Sequence, residues 1–146
     1  MTNPFACKLN GVSIVGTSGQ NVKDIRQYAN YYEDKPIEAL DLTLRARHLF
    51  PTSPDTLRSY PFVNEDPFVV TQLPNIYFAG NQPRYESQLK KLSDDCMCQL
   101  ICVPSFRRTK SIVLVDLSTL QSYEYKFDCS LISNSFELDQ LEFAKG

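Results

Sequence analysis

The residues with most bearing on chemistry are Gly80-Asn81-Gln82-Pro83, which follow the apolar run Asn75-Ile76-Tyr77-Phe78-Ala79. A Gly-His-x-His sequence at the C-terminal end of such a strand would offer two imidazoles to a metal pair, and imidazole nitrogens bind transition metals well. Here Asn81 and Pro83 occupy the two places. A neutral amide is a poor substitute, and proline carries no side-chain ligand atom. The expectation is a bend with no catalytic residue, no metal and no cofactor. His48 is the only histidine, so any Ser/His/Asp or Cys/His mechanism would have to use it. It lies in Leu44-Arg45-Ala46-Arg47-His48, at the end of an expected helix. There an imidazole satisfies terminal carbonyls and interacts favourably with the helix dipole; catalysis is the alternative.

Three further clusters carry a second reading each. Cys96, Cys98 and Cys102 share one face with Leu100 if the stretch is a strand. A buried row of small apolar side chains is expected, because free cysteine packs as a hydrophobe. Zinc would need a fourth ligand and usually a C-x₂₋₄-C pair. Gly16-Thr17-Ser18-Gly19-Gln20-Asn21 joins a strand to a helix, where backbone amides can cradle an anion. It is neither a Walker loop nor G-x-G-x-x-G, so a tight turn that lets helix and sheet approach closely is expected. Arg107, Arg108 and Lys110 are expected at a hairpin tip, as a solvated turn or as a contact for a phosphate or an acidic surface.

The elements that position these residues follow from pattern. Phe5 to Leu9 and Val12 to Gly16 flank Asn10-Gly11, the preferred pair of a type I′ turn, which predicts a β-hairpin. A helix capped by Asn21 follows, with Val22, Ile25, Tyr28 and Ala29 on its buried face. A second helix starts near Pro36, carries Ile37, Leu40 and Leu44 as its apolar stripe, and stops before Pro51. Pro51, Pro54, Pro61 and Pro67 bar helix and central strand from residues 51–67, yet Leu57, Tyr60, Phe62 and Phe68 predict a packed, rigid loop. Strands are expected over 75–79, 97–103, 111–116 and 122–127, the last with Tyr123, Tyr125 and Phe127 alternating against polar residues. The tail after residue 128 is expected to be loosely held.

The 146 residues suit one domain, and 42% hydrophobic with 12% aromatic content suits a globular chain. Fifteen basic and seventeen acidic side chains leave a net charge of −2, with no field to gather phosphates, so autonomous nucleic-acid binding is disfavoured. No apolar run approaches the ~20 residues of a membrane span, and Met1-Thr2-Asn3-Pro4 lacks the layout of a secretory leader. An intracellular chain with free thiols is expected from five cysteines.

GTSGQNVKDI at residues 16–25, LRARHLFPTSPDTL at 44–57, YPF at 60–62, DPF at 66–68 and LPNIYFAGNQP at 73–83 carry a resemblance, extended by VPSF at 103–106 and VLVDLSTL at 113–120. The chain resembles the C-terminal part of the small (B) subunits of replicative DNA polymerases, most closely those of eukaryotic DNA polymerase delta. Residues 84–98 and the tail resemble the family only loosely. The resemblance implies an α+β, layered αββα architecture: the C-terminal half of a calcineurin-like phosphoesterase fold over residues 1–128, with 129–146 as a tail. It implies that the OB-fold and the first half of the domain, with their Asp-x-His, Gly-Asp and Gly-Asn-His motifs, are absent from this chain. A fragment, a short isoform or a truncated gene model is expected accordingly. It further implies that Asn81 and Pro83 mark lost metal-ligand positions. The implied function is that of a non-catalytic nuclear scaffold, holding the catalytic subunit of DNA polymerase delta and a third polymerase subunit, with DNA reached only through the complex. Tyr60, Phe62 and Phe68 are the candidate anchors, core packing being the competing role. The competing functions are a metal-dependent phosphoesterase or nuclease fragment, and a module for single-stranded DNA.

Overall fold

The computed structural model describes residues 2–60, 62–93 and 96–128, so the expected tail over 129–146 lies outside the described residues. Strands β1 (Phe5–Leu9) and β2 (Val12–Thr17) form the expected hairpin. Asn10 and Gly11 both have positive φ, 48° and 84°, as a type I′ turn requires. Helix α1 (Gln20–Tyr28), a 3₁₀ turn (Asn30–Tyr32) and helix α2 (Pro36–Arg45) lead to β3 (Ile76–Gln82), which lies parallel to β2. Strands β4 (Glu86–Ser93) and β5 (Cys96–Pro104) complete a mixed sheet of order β1-β2-β3-β5-β4. A one-turn helix α3 (Phe106–Thr109) then leads to β6 (Ser111–Val115) and β7 (Ser122–Lys126), which pair only with each other. A five-stranded mixed sheet with few helices is an α+β architecture.

The helices cover one face of the large sheet. Val22, Ile25, Ala39, Leu40 and Leu44 pack against Tyr77, Ala79, Cys98, Leu100 and Cys102, with Leu49, Phe50 and Val70 closing the cluster. Proline opens α2, where its missing N–H has no helical acceptor to lose. The opposite face meets the β6–β7 ribbon, where Gln99 Nε2 donates to Ser122 Oγ at 3.2 Å and Tyr85 Oη to the Ser122 carbonyl at 2.7 Å.

Four expectations need correction. Asn21 does not cap α1: Gly19 stands at the cap with φ 87°, and Asn21 is fully buried as the second residue of the helix. Its Nδ2 donates to the Leu49 carbonyl at 2.7 Å and to Tyr77 Oη at 3.4 Å, while its Oδ1 accepts from Thr17 Oγ1 at 3.0 Å. Tyr28 points to solvent because the helix ends there and the chain turns away. Strand β4 was not expected, since Glu86, Gln88, Lys90 and Lys91 dilute its apolar alternation; such charges belong on an edge strand, which must not recruit another chain. Arg107, Arg108 and Lys110 do not sit at the tip of a β5–β6 hairpin. They lie on and after α3, where the chain crosses from one sheet to the other and Lys110 turns it at φ 53°.

The strand-to-helix turn is as tight as expected. A Cβ on Gly19 would lie 1.8 Å from the Gly80 carbonyl oxygen, and one on Gly16 would lie 2.1 Å from the Phe78 ring. Gly11 also has positive φ, yet nothing lies within 4 Å of its Cβ position. Gly19→Ala is therefore expected to cost about 2 kcal/mol or more, combining backbone strain with a backbone clash, whereas Gly11→Ala costs only the conformational ~1 kcal/mol. Urea unfolding of the two variants beside the unmodified chain checks this; equal losses would contradict the close-approach reading.

Candidate functional site

The Gly80–Pro83 bend is the end of β3, where its register with β5 shifts between Ala79 and Gln82. Asn81 takes φ 53° and is exposed, and its Nδ2 donates to the Ser18 carbonyl at 3.1 Å. Gln82 turns inward, nearly fully buried, with Nε2 donating to the Gly80 carbonyl at 2.8 Å and the Gly19 carbonyl at 3.5 Å. Pro83 is exposed. The bend's side-chain N–H groups thus bind the β2–α1 turn. Among the described residues no group of three or more His, Cys, Asp or Glu is placed to hold a metal ion, and the amide and proline at 81 and 83 do not fit a transition-metal pair.

The β2–α1 turn engages its own amides in the same way. Ser18 N donates to Asn3 Oδ1 at 3.0 Å and Gly19 N to Thr17 Oγ1 at 3.3 Å. Asn3 Nδ2 reaches Ser18 Oγ at 3.0 Å and Gln20 Oε1 at 3.2 Å. The Ser18 and Gly19 amides, two of the donors that could face an anion, are thus engaged by the chain itself. Behind the turn lies a buried polar chain. Asn21 donates to Tyr77 Oη, Tyr77 Oη lies 2.9 Å from Thr43 Oγ1, and Thr43 Oγ1 donates to the Leu40 carbonyl at 2.8 Å. With Thr43 committed to that carbonyl, the tyrosine must be the donor of the pair. Burial pushes the Tyr77 hydroxyl up to about 12, so it stays protonated in this role.

Cys98 and Cys102 are buried on the helix-covered face beside Leu100, and Cys96 is half-buried. Burial pushes both buried thiols up to about 12, so they pack as neutral apolar groups.

The proline-rich loop is closed at its base. His48 and Val69 form an antiparallel bridge, Leu49 N donates to the Phe68 carbonyl at 2.8 Å and Val70 N to the Arg47 carbonyl at 2.8 Å. The His48 imidazole does not serve the carbonyls of α2. The chain leaves the helix through Arg47 at φ 51°, and Nε2 instead meets Asp66 Oδ2 at 3.1 Å across the loop mouth. From below, the buried Asp24 of α1 accepts the hydroxyls of Thr52 and Thr56. Nothing in the sequence singled out Asp24 beyond its place three residues after Asn21 on the same helix.

The three candidate anchors divide. Phe68 is half-buried against the core, with its ring 4.8 Å from Phe50. Tyr60 and Phe62 are 75% and 51% exposed, so the loop does not pack them into the core as expected. Their rings meet edge to face at 5.4 Å, and Phe62 meets Phe68 at 6.1 Å. Together with Leu57, Phe50 and Pro4 they line a cavity of about 670 Å³ between the loop and the start of the hairpin. Ser53 Oγ, at its wall, and the nearby His48 Nδ1 are buried without a hydrogen-bond partner among the described residues. The arrangement suits capture of an apolar side chain bearing a polar end.

Residues 1–88 match the family of DNA polymerase alpha/epsilon B subunits. The chain belongs to that family. DNA polymerase delta subunit 2 of Drosophila melanogaster is 40% identical over 139 residues, covering 95% of this chain and 30% of that protein. The DNA polymerase delta small subunit of Arabidopsis thaliana is 38% identical over 130 residues, covering 89% of this chain and 29% of that protein. That of Saccharomyces cerevisiae is 32% identical over 149 residues, covering 88% and 30%. Within the B-subunit family the kinship is thus with DNA polymerase delta, and the chain spans about 30% of the length of these curated relatives.

The loop mouth has a pH signature. The Phe68 backbone N–H, 2.9 Å from Asp66 Oδ1, and the His48 imidazole hold the Asp66 carboxyl below its usual 3.8. A carboxyl depressed in the folded state contributes stability above its unfolded pKa and loses it as pH falls through the folded value. Because Asp66 is half exposed, the contribution is expected to be modest, up to ~1 kcal/mol. Asp66→Asn is expected to remove this part of the acid-induced loss, read as a flatter dependence of the urea midpoint between ~pH 5 and ~pH 2. An unchanged pH profile would contradict it.

Proposed function

We propose that this chain is the part of a non-catalytic accessory subunit that holds a replicative DNA polymerase together in the nucleus. Its partners are the C-terminal module of the catalytic subunit of DNA polymerase delta and a third polymerase subunit, and DNA is reached only through that assembly. The kinship with B subunits of DNA polymerase delta carries the reading. A sequence pI of about 5.4 supports protein rather than nucleic-acid contacts.

In this reading residues 1–128 form the C-terminal part of an inactive calcineurin-like phosphoesterase domain. Asn81 and Pro83 stand where an active relative would place histidine ligands, and the amide of Asn81 now ties β3 to the β2–α1 turn. The alternative, a metal-dependent phosphoesterase or nuclease fragment, would need ligands from outside the described residues, which hold no cluster of three or more His, Cys, Asp or Glu placed to hold a metal ion. Tyr60 and Phe62 are the anchors, with the half-buried Phe68 as the floor beneath them. Exposed aromatics around a preformed cavity are the usual make-up of an interface hot spot.

Co-expression with the catalytic subunit of DNA polymerase delta tests this. The unmodified chain is expected to co-purify with it, and Tyr60→Ala/Phe62→Ala to weaken binding about tenfold or more, as loss of hot-spot aromatics does. Failure of the unmodified chain to co-purify would contradict the partner; undiminished binding by the double variant would contradict the surface.

A further inference from the structure

The β6–β7 ribbon presents an apolar face that the rest of the described residues do not cover. Ile112 pairs with Tyr125 and Leu114 with Tyr123 across the ladder, and these four side chains share one side. They are 38%, 54%, 52% and 56% exposed respectively, and the neighbouring Phe127 and Phe106 are 43% and 55% exposed. Phe127 meets Tyr125 at 5.2 Å and Phe106 at 6.1 Å, so the six form one continuous patch. The alternate residues face the other way, where Ser111 Oγ donates to Glu124 Oε1 at 2.8 Å. The platform is firmly built. Its turn is closed by Asp116 N to the Gln121 carbonyl at 2.9 Å, and the Asp116 carboxylate accepts Ser118 N at 2.8 Å. A contiguous apolar patch of this kind marks a docking surface.

Its border is basic. Arg107, Arg108 and Lys110 are exposed beside Phe106, and among the described residues no ion pair engages them. The sequence that follows β7 has the complementary character. Phe136, Leu138, Leu141 and Phe143 are interleaved with Glu137, Asp139 and Glu142. Between Asp128 and Phe136 lie seven residues, which reach up to ~23 Å when extended. A ribbon of five-residue strands is ~17 Å long, so the tether suffices for the segment to return along it. Tethering gives the segment an effective concentration in the ~mM range, which favours it over a second copy of the chain at ordinary protein concentrations.

We propose that the acidic, apolar segment 136–143 docks on the Ile112, Leu114, Tyr123 and Tyr125 face of the ribbon and steers by charge to Arg107, Arg108 and Lys110. The assignment does not depend on the polymerase reading.

The test uses the full chain with the ¹³C-labelled methyls of Ile112 and Leu114 as reporters and Leu40 and Leu44 as monitors of the core. The triple variant Phe136→Glu/Leu138→Glu/Leu141→Glu is expected to shift the ribbon methyls while leaving the core methyls in place. It is also expected to raise anilinonaphthalene sulfonate fluorescence several-fold. Arg107→Glu/Arg108→Glu is expected to produce the same ribbon shifts, as is high salt acting on the unmodified chain. Ribbon methyls that coincide in the unmodified chain and the triple variant would overturn the proposal. So would ribbon shifts that track protein concentration together with a doubled mass in light scattering, which would assign the face to a second copy.

Discussion

The Cα of Gly19 lies so close to the Gly80 carbonyl that no side chain fits between them. This contact sets the distance between the start of α1 and the end of β3, and much of the remaining architecture depends on it. The neighbouring Gly16 leaves room for the Phe78 ring against β2, and the buried chain Thr17–Asn21–Tyr77–Thr43 locks both helices to the same strand. Each member of that chain is satisfied, so it contributes orientation without the penalty of an orphaned buried group. Moving the turn outward would break the chain and the apolar packing of Val22, Leu40 and Leu44 behind it.

The same constraint explains why the bend at 80–83 has the chemistry it has. With the turn this near, Asn81 and Gln82 commit their N–H groups to the carbonyls of Ser18, Gly19 and Gly80. The end of β3 becomes a structural joint. The proposed recognition surfaces lie elsewhere, on the closed proline-rich loop with Tyr60 and Phe62 outward and on the aromatic face of the ribbon. That division, a stiff polar joint within and aromatic surfaces without, suits a chain whose relatives are polymerase subunits.

Much of this was legible in residue order where local chemistry decides the outcome. Asn10-Gly11 specified its turn, Pro36 marked the start of α2, and Leu40 and Leu44 marked its buried face. What escaped depends on contacts distant in sequence. Asn21 read as a cap because its type favours caps, yet its partners Leu49 and Tyr77 lie 28 and 56 residues away. Strand β4 hid behind the lysines that suit its edge position. Tyr60 and Phe62 read as packed because aromatics usually are, but the bridge at His48 and Val69 closes the loop beneath them and leaves them outside. The chain passes from β5 to the β6–β7 pair through α3 and the left-handed Lys110, a crossing that no local pattern announces.

The central proposal is that the β3 bend joins backbone elements rather than gripping a cation. The most direct measurement is a Mn²⁺ titration of the full chain, following paramagnetic broadening of backbone amides by NMR together with metal analysis of the dialysed protein. The account predicts no stoichiometric uptake and no broadening centred on residues 79–83. One equivalent of retained manganese, with broadening that falls off with distance from Asn81, would contradict it.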